Sequence, residues 1–138
     1  RKQLVQDHSS KAYIRFLPRR LDFLPRGGDG WTRSKRLLLF EFDNSNNQLS
    51  LKFILGPGEQ ELRDRLHRLI SAHPKVFNRA QQTLYPKWWS FDSEKWLSSQ
   101  QYNELDLPDL KREIQERLDR FLEQRLPKME EILVQLRQ

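Results

Sequence analysis

The stretch RLLLFEFDNSNNQLSLKFILGPG, Arg36 to Gly58, constrains the fold of this chain more than any other segment. Two apolar runs of similar length flank Asn44-Ser45-Asn46-Asn47. Runs of alternating side chains around a cluster of turn-forming residues are the signature of a β-hairpin. With a four-residue loop, Asp43 pairs with Gln48, Glu41 faces Ser50, Leu39 faces Lys52 and Leu37 faces Ile54. One face then carries Leu38, Phe40 and Phe42 opposite Leu49, Leu51 and Phe53. It is wholly apolar and must be buried. A slip by one residue would turn that whole set toward water, so the pattern fixes the faces strongly.

The rest of the chain supplies what covers that face. AYIRFLP (Ala12 to Pro18) alternates and reads as a short strand ended by proline. Glu59 to His73 places Leu62, Leu66, Leu69 and Ile70 at helical spacing, with Glu59 and Glu61 in the first turn, where acidic groups suit the helix dipole. Pro74 to Pro86 has room for a short helix. Lys87 to Asp106 is rich in aromatics and reads as irregular, with a strand near Trp88–Phe91 and a helical turn near Ser99–Leu105. Asp106 is an N-cap with Pro108 just inside the helix. From there Leu110, Ile114, Leu118, Phe121, Leu122 and Leu126 form a stripe that resumes at Met129, Ile132, Leu133 and Leu136. Pro127 should kink this long C-terminal helix. The expectation is one α+β domain over residues 1–138: a small antiparallel sheet, a strand plus a hairpin, packed on one face by helices.

The chain has 138 residues and no cysteine, which excludes disulfides and thiolate chemistry and fits a cytoplasmic protein. No apolar run approaches the roughly 20 residues of a membrane span, so no membrane partner is expected. The chain begins at Arg1 and its single methionine is Met129, so it is expected to be the C-terminal part of a longer protein.

Charge is uneven. Residues 1–40 carry ten Lys/Arg and three Asp/Glu, while residues 91–138 carry eight and eleven. Arg15, Arg19, Arg20, Arg26, Arg33, Lys35 and Arg36, with Trp31 among them, form a candidate nucleic-acid surface, since such cations track a phosphate backbone. A solvated arginine-rich surface has the same composition. Arg63, Arg65, Arg68, Lys75 and Arg79 form a second basic set. Trp88, Trp89, Phe91 and Trp96 read either as a stacking platform or as core packing under a loop. The apolar stripe of the C-terminal helix packs on the sheet or serves self-association or a partner protein.

Glu41, Asp43 and Lys52 share the polar hairpin face. Two carboxylates and a lysine can bind Mg²⁺ and stabilise phosphate charge. A cross-strand charge cluster on a solvated sheet face has the same make-up. No pair of the three histidines, His8, His67 and His73, has ligand spacing, so no zinc site is expected. Gly27-Gly28-Asp29-Gly30 and Gly56-Pro57-Gly58 lack the lysine and Ser/Thr of a phosphate loop and read as turns.

YIRFLPRRLD, GWTRSKRLLLFEFDN and LSLKFILGPGEQELRDRL, then LYPKWWSF, KWLS and the terminal RLPKMEEIL, together resemble the C-terminal region of bacterial PD-(D/E)XK nuclease-superfamily proteins. The resemblance covers about residues 12–136. In that superfamily an Asp and a following Glu/Asp-x-Lys pair bind Mg²⁺ and cut phosphodiesters, and here they would belong to an upstream core. Within the sheet segments of this chain there is no Pro-Asp, Glu-x-Lys or Asp-x-Lys, and Lys52 is preceded two residues earlier by Ser50, not by a carboxylate. The resemblance therefore implies an accessory domain supporting nucleic-acid binding, not catalytic by itself and with no cofactor of its own, Mg²⁺ entering only with an upstream nuclease core. Two other readings stay open: an interaction or assembly module of a multi-subunit, defence-type complex, and a degenerate Mg²⁺-dependent nuclease using Glu41, Asp43 and Lys52.

Overall fold

A computed structural model describes residues 4–7, 13–26, 32–45 and 47–137. Five strands form one antiparallel sheet in the order β1-β2-β3-β4-β5: β1 Leu4–Gln6, β2 Tyr13–Pro18, β3 Leu38–Ser45, β4 Gln48–Leu55 and β5 Trp89–Leu97. Between β4 and β5 runs α1, Gln60–Ser71. After β5 come α2 Ser99–Glu104, α3 Leu107–Arg120 and α4 Leu126–Leu133. The α+β architecture is as expected. The sheet is larger than a strand plus a hairpin, because the chain adds a strand at each edge.

The hairpin turns more tightly than its composition suggests. Ser45 pairs with Gln48, so only Asn46 and Asn47 lie between paired residues. Glu41 therefore faces Lys52, Asp43 faces Ser50 and Leu39 faces Ile54, in place of the expected partners. Asn47 has φ 55°, a left-handed conformation that asparagine tolerates and that tight hairpin turns require. Moving each partner by two residues preserves the faces, because side chains alternate with period two.

The apolar face became the core. Phe40 stacks on Phe53 with ring centroids 3.8 Å apart, and Phe16 stacks on Phe40 at 5.4 Å. Leu66 and Ile70 of α1 and Leu126, Met129 and Leu133 of α4 close over this layer, all fully or almost fully buried. Phe121 meets Phe40 edge-on at 5.4 Å. Trp89, Phe91 and Trp96 are wholly buried in the same cluster. They are core, so the stacking-platform reading fails for these three. Only Trp88 of that group is exposed, at 50%.

Residues 74–86 form turns and no helix. Their role is to finish the sheet. Arg79 N–H donates to Phe91 O at 3.0 Å, and the Asn78 side chain bonds both N–H and C=O of Ser93, so the outer edge of β5 is covered. β5 itself is irregular against β4, with register shifts between Leu49 and Ser50 and between Phe53 and Ile54. Those bulges break the period-two pattern and hid most of the strand from sequence reading.

Asp106 caps α3 by accepting from Asp109 N–H at 3.1 Å. Pro127 acts upstream of itself. It has no N–H to return to the carbonyl of Glu123, and its ring would strike that group in a regular helix. The chain widens into a π turn over Phe121–Arg125, in which Leu126 N–H donates to Phe121 O. α4 starts afresh with the proline in its first turn.

Candidate functional site

The face of the sheet away from the helices carries the candidate chemistry. Tyr13 and Arg15 on β2 stand opposite Asp43 and Glu41 on β3, and Glu41 stands opposite Lys52 on β4. These side chains, with Ile54 and the indole of Trp88, line a shallow pocket of about 380 Å³.

Within it the charges pair. Arg15 Nε donates to Glu41 Oε1 at 3.0 Å, straight across the two strands. Lys52 Nζ passes over its direct partner and donates diagonally to Asp43 Oδ2 at 2.9 Å. Ser45 Oγ donates to the other oxygen of Asp43. The Arg15 guanidinium also lies 5.3 Å from the centre of the Tyr13 ring, a cation–π contact. Burial pushes the Glu41 carboxyl above the usual glutamate range, against the pull of Arg15. Burial acts the same way on Asp43, but the hydrogen bonds from Ser45 and Lys52 prevail and hold it below the ordinary value.

The structure thus brings Glu41, Asp43 and Lys52 together, and it surrounds both carboxylates with protein cations. A Mg²⁺ ion takes carboxylate oxygens directly, and here Arg15 and Lys52 already occupy one oxygen of each. Among the described residues no group of three or more His, Asp or Glu is arranged to hold a metal ion. Pro108-Asp109-Leu110-Lys111 does spell Pro-Asp-x-Lys, which sequence reading passed over. It lies at the start of α3, where Asp109 bonds Arg112 at 2.9 Å.

The seven basic candidates divide. Arg15 belongs to the pocket. Arg36 is largely buried, reaching Asp22 through Nε at 2.9 Å and Asp7 through Nη1 at 3.0 Å. Its hydrogen bond holds the Asp22 carboxyl below the usual range, and Asp22 in turn raises the arginine further. Arg26 bonds the same Asp22 at 2.9 Å but remains half exposed. Arg20 reaches Glu130 at 3.9 Å and is 54% exposed. Arg19, Arg33 and Lys35 are exposed. Lys35 sits at φ 60° in a turn closed by its N–H to Thr32 O. Gly27 to Gly30, Trp31 and His8 lie outside the described residues.

In the second basic set, Arg63 is a core residue. It is 1% exposed, and its guanidinium donates to the carbonyls of Gly56, Tyr85, Pro86 and Lys87 at 2.8–3.4 Å. Burial lowers its proton affinity. Arg65, Arg68, Lys75 and Arg79 are exposed. His67 is engaged structurally: its Nε2 lies 3.0 Å from the Gln82 carbonyl oxygen, which can only accept, and its ring packs 4.9 Å from Trp89.

No family model, no curated protein and no solved structure matches this chain. No helix among the described residues is long and apolar enough to cross a membrane.

Trp88 is the member of the pocket that the aromatic cluster did not separate from its buried neighbours. The signal was the Trp88-Trp89 pair at a strand start, since adjacent residues point to opposite faces. Arg15 was singled out, but its partnership with Glu41 depends on the β2–β3 register, which nothing local specifies.

Proposed function

We propose that this chain is a nucleic-acid-binding accessory domain of a PD-(D/E)XK nuclease-like protein, non-catalytic by itself. One observation carries the reading. The exposed cations Arg19, Arg20, Arg26, Arg33 and Lys35 lie in a short span of chain that follows β2, whereas both carboxylates of the sheet face are neutralised by Arg15 and Lys52. Exposed cations on one segment suit a phosphate backbone; paired carboxylates on a sheet suit binding and not metal-assisted hydrolysis.

The experiment is a salt titration of duplex and single-stranded oligonucleotides by fluorescence anisotropy. Five phosphate contacts would give log K against log salt a slope of about −4.5 on duplex DNA. The quadruple variant R19A/R20A/R33A/K35A should flatten that slope and weaken binding to every sequence alike. No binding by the wild type at low salt would end the proposal. Mg²⁺-dependent cleavage that disappears in Glu41→Gln would instead favour the degenerate-nuclease reading.

The assembly reading has less room. Phe121, Leu126, Met129 and Leu133 of the C-terminal stripe are spent in this chain's own core.

A further inference from the structure

The pocket on the open sheet face has features that phosphate tracking does not use. Trp88 presents half of its surface to solvent, beside a core that buries the next residue completely. The half-exposed indole lines the same pocket as the four charged side chains Arg15, Glu41, Asp43 and Lys52. Its flat ring offers a stacking plane.

The floor below it holds two cations and two carboxylates, so its formal charge is zero. That balance suits a neutral planar group with both donors and acceptors on its edge better than it suits a phosphate. The acceptors have capacity left. A carboxylate offers about four lone-pair sites. Among the described residues Glu41 accepts one hydrogen bond, through Oε1. Lys52 carries three N–H donors and directs one of them to Asp43. The groups are also held in place: each sits on a strand in a fixed register and is braced by its ionic partner, so little ordering is left for binding to impose. A volume of about 380 Å³ lies within the range of small-ligand clefts.

We infer that this pocket binds an unpaired nucleobase, stacked on Trp88 and met along its edge by Glu41, Asp43, Arg15 and Lys52. The inference rests on the nucleic-acid-binding reading above and sharpens it toward single strands, since a base in a duplex cannot present its face and edge together. The basic segment after β2 would grip the backbone while the pocket takes a base.

The test uses the whole 138-residue chain with single-stranded and duplex oligonucleotides of equal length, and separately with the free nucleosides adenosine and cytidine. Trp88→Ala should weaken single-strand binding at least about fivefold and leave duplex binding unchanged, as expected for loss of one stacked base. Trp88→Phe keeps a ring and should recover most of the loss. Millimolar adenosine or cytidine should quench tryptophan emission in the wild type and not in Trp88→Phe. If neither nucleoside quenches and Trp88→Ala binds single strands as the wild type does, the pocket inference is overturned. The wider reading survives that result so long as R19A/R20A/R33A/K35A loses affinity. Nucleoside quenching without oligonucleotide binding would leave the pocket standing and overturn the wider reading.

Discussion

Asn78 and Ser93 hydrogen-bond each other twice: Asn78 Nδ2 donates to Ser93 O at 2.8 Å, and Ser93 N–H donates to Asn78 Oδ1 at 3.0 Å. The carboxamide reproduces the donor and acceptor of a neighbouring strand for one residue. It does so where β5 would otherwise offer an open edge.

Replacing that amide tests its worth. Asn78→Ala should cost about 1 kcal/mol, the net value of a solvent-accessible hydrogen-bonded pair. Asn78→Asp should recover little, because a carboxylate cannot donate to Ser93 O. Urea denaturation measures the first effect. Concentration-dependent light scattering reports whether the uncovered edge now pairs with a second copy.

Arg125 extends from the π turn to Asp92 at 2.7 Å, Glu94 at 2.6 Å and the Val76 carbonyl at 2.7 Å. Burial alone would weaken its hold on its proton, but the hydrogen bonds and charges of Asp92 and Glu94 outweigh that and strengthen it. Arg125→Met should destabilise by about 3 kcal/mol, the lower end for unpartnering a buried pair, since the guanidinium retains some exposure. Adding Asp92→Asn should restore part of the loss. Additive losses in that double-mutant cycle would show that the two residues do not interact.

Arg63 separates structural from binding cations. Arg63→Lys keeps the charge but not the planar fork that reaches four carbonyls. It should lower stability by about 2 kcal/mol or more, from buried acceptors left unpaired. Salt slopes for oligonucleotide binding, measured where both proteins remain folded, should be unchanged. A flattened slope would place Arg63 on the binding surface after all.

Glu41 and Asp43 should give opposite signs in a pH series. Burial raises the folded-state pKa of Glu41, so the folded protein binds more protons than the unfolded chain just above the usual glutamate range. Through Glu41, stability therefore falls as pH rises across that window. Asp43 is held low, so its contribution is present above the usual aspartate range and is lost as pH falls through the folded value. Urea midpoints from pH 3 to pH 7 (roughly the carboxylate range) should show the wild-type advantage over Glu41→Gln shrinking as pH rises. For Asp43→Asn the advantage should grow.

Much of the fold was legible because it was written in periodic patterns. The faces of β3 and β4, the stripe of α1 and the cap at Asp106 each follow from local spacing, and each formed. The hairpin partners did not follow, because Asn47 in a left-handed conformation shortens the loop and composition alone left four turn residues to choose from. β5 was mostly hidden because its bulges break alternation. The candidate site was half legible. Glu41, Asp43 and Lys52 were placed on one face, and the ion pair from Arg15 was invisible because it joins residues 26 apart in sequence. Arg63 looked like surface charge on an amphipathic helix. Its burial depends on the 85–87 backbone arriving with bare carbonyls, a tertiary event with no local trace.

The order of the sheet has a temporal consequence. β1 to β4 each pair with the strand just before or after them in sequence, and they can assemble as the chain emerges. β5 joins β4 only after the excursion from Gly56 to Trp88, and closing a longer loop before any contact rewards it slows folding. Until then β4 presents Leu51, Phe53 and Leu55 on an unpaired edge. A nascent chain stalled before Trp89 would thus be a sticky four-stranded intermediate, and the tryptophan-rich segment is the piece whose late arrival ends that exposure.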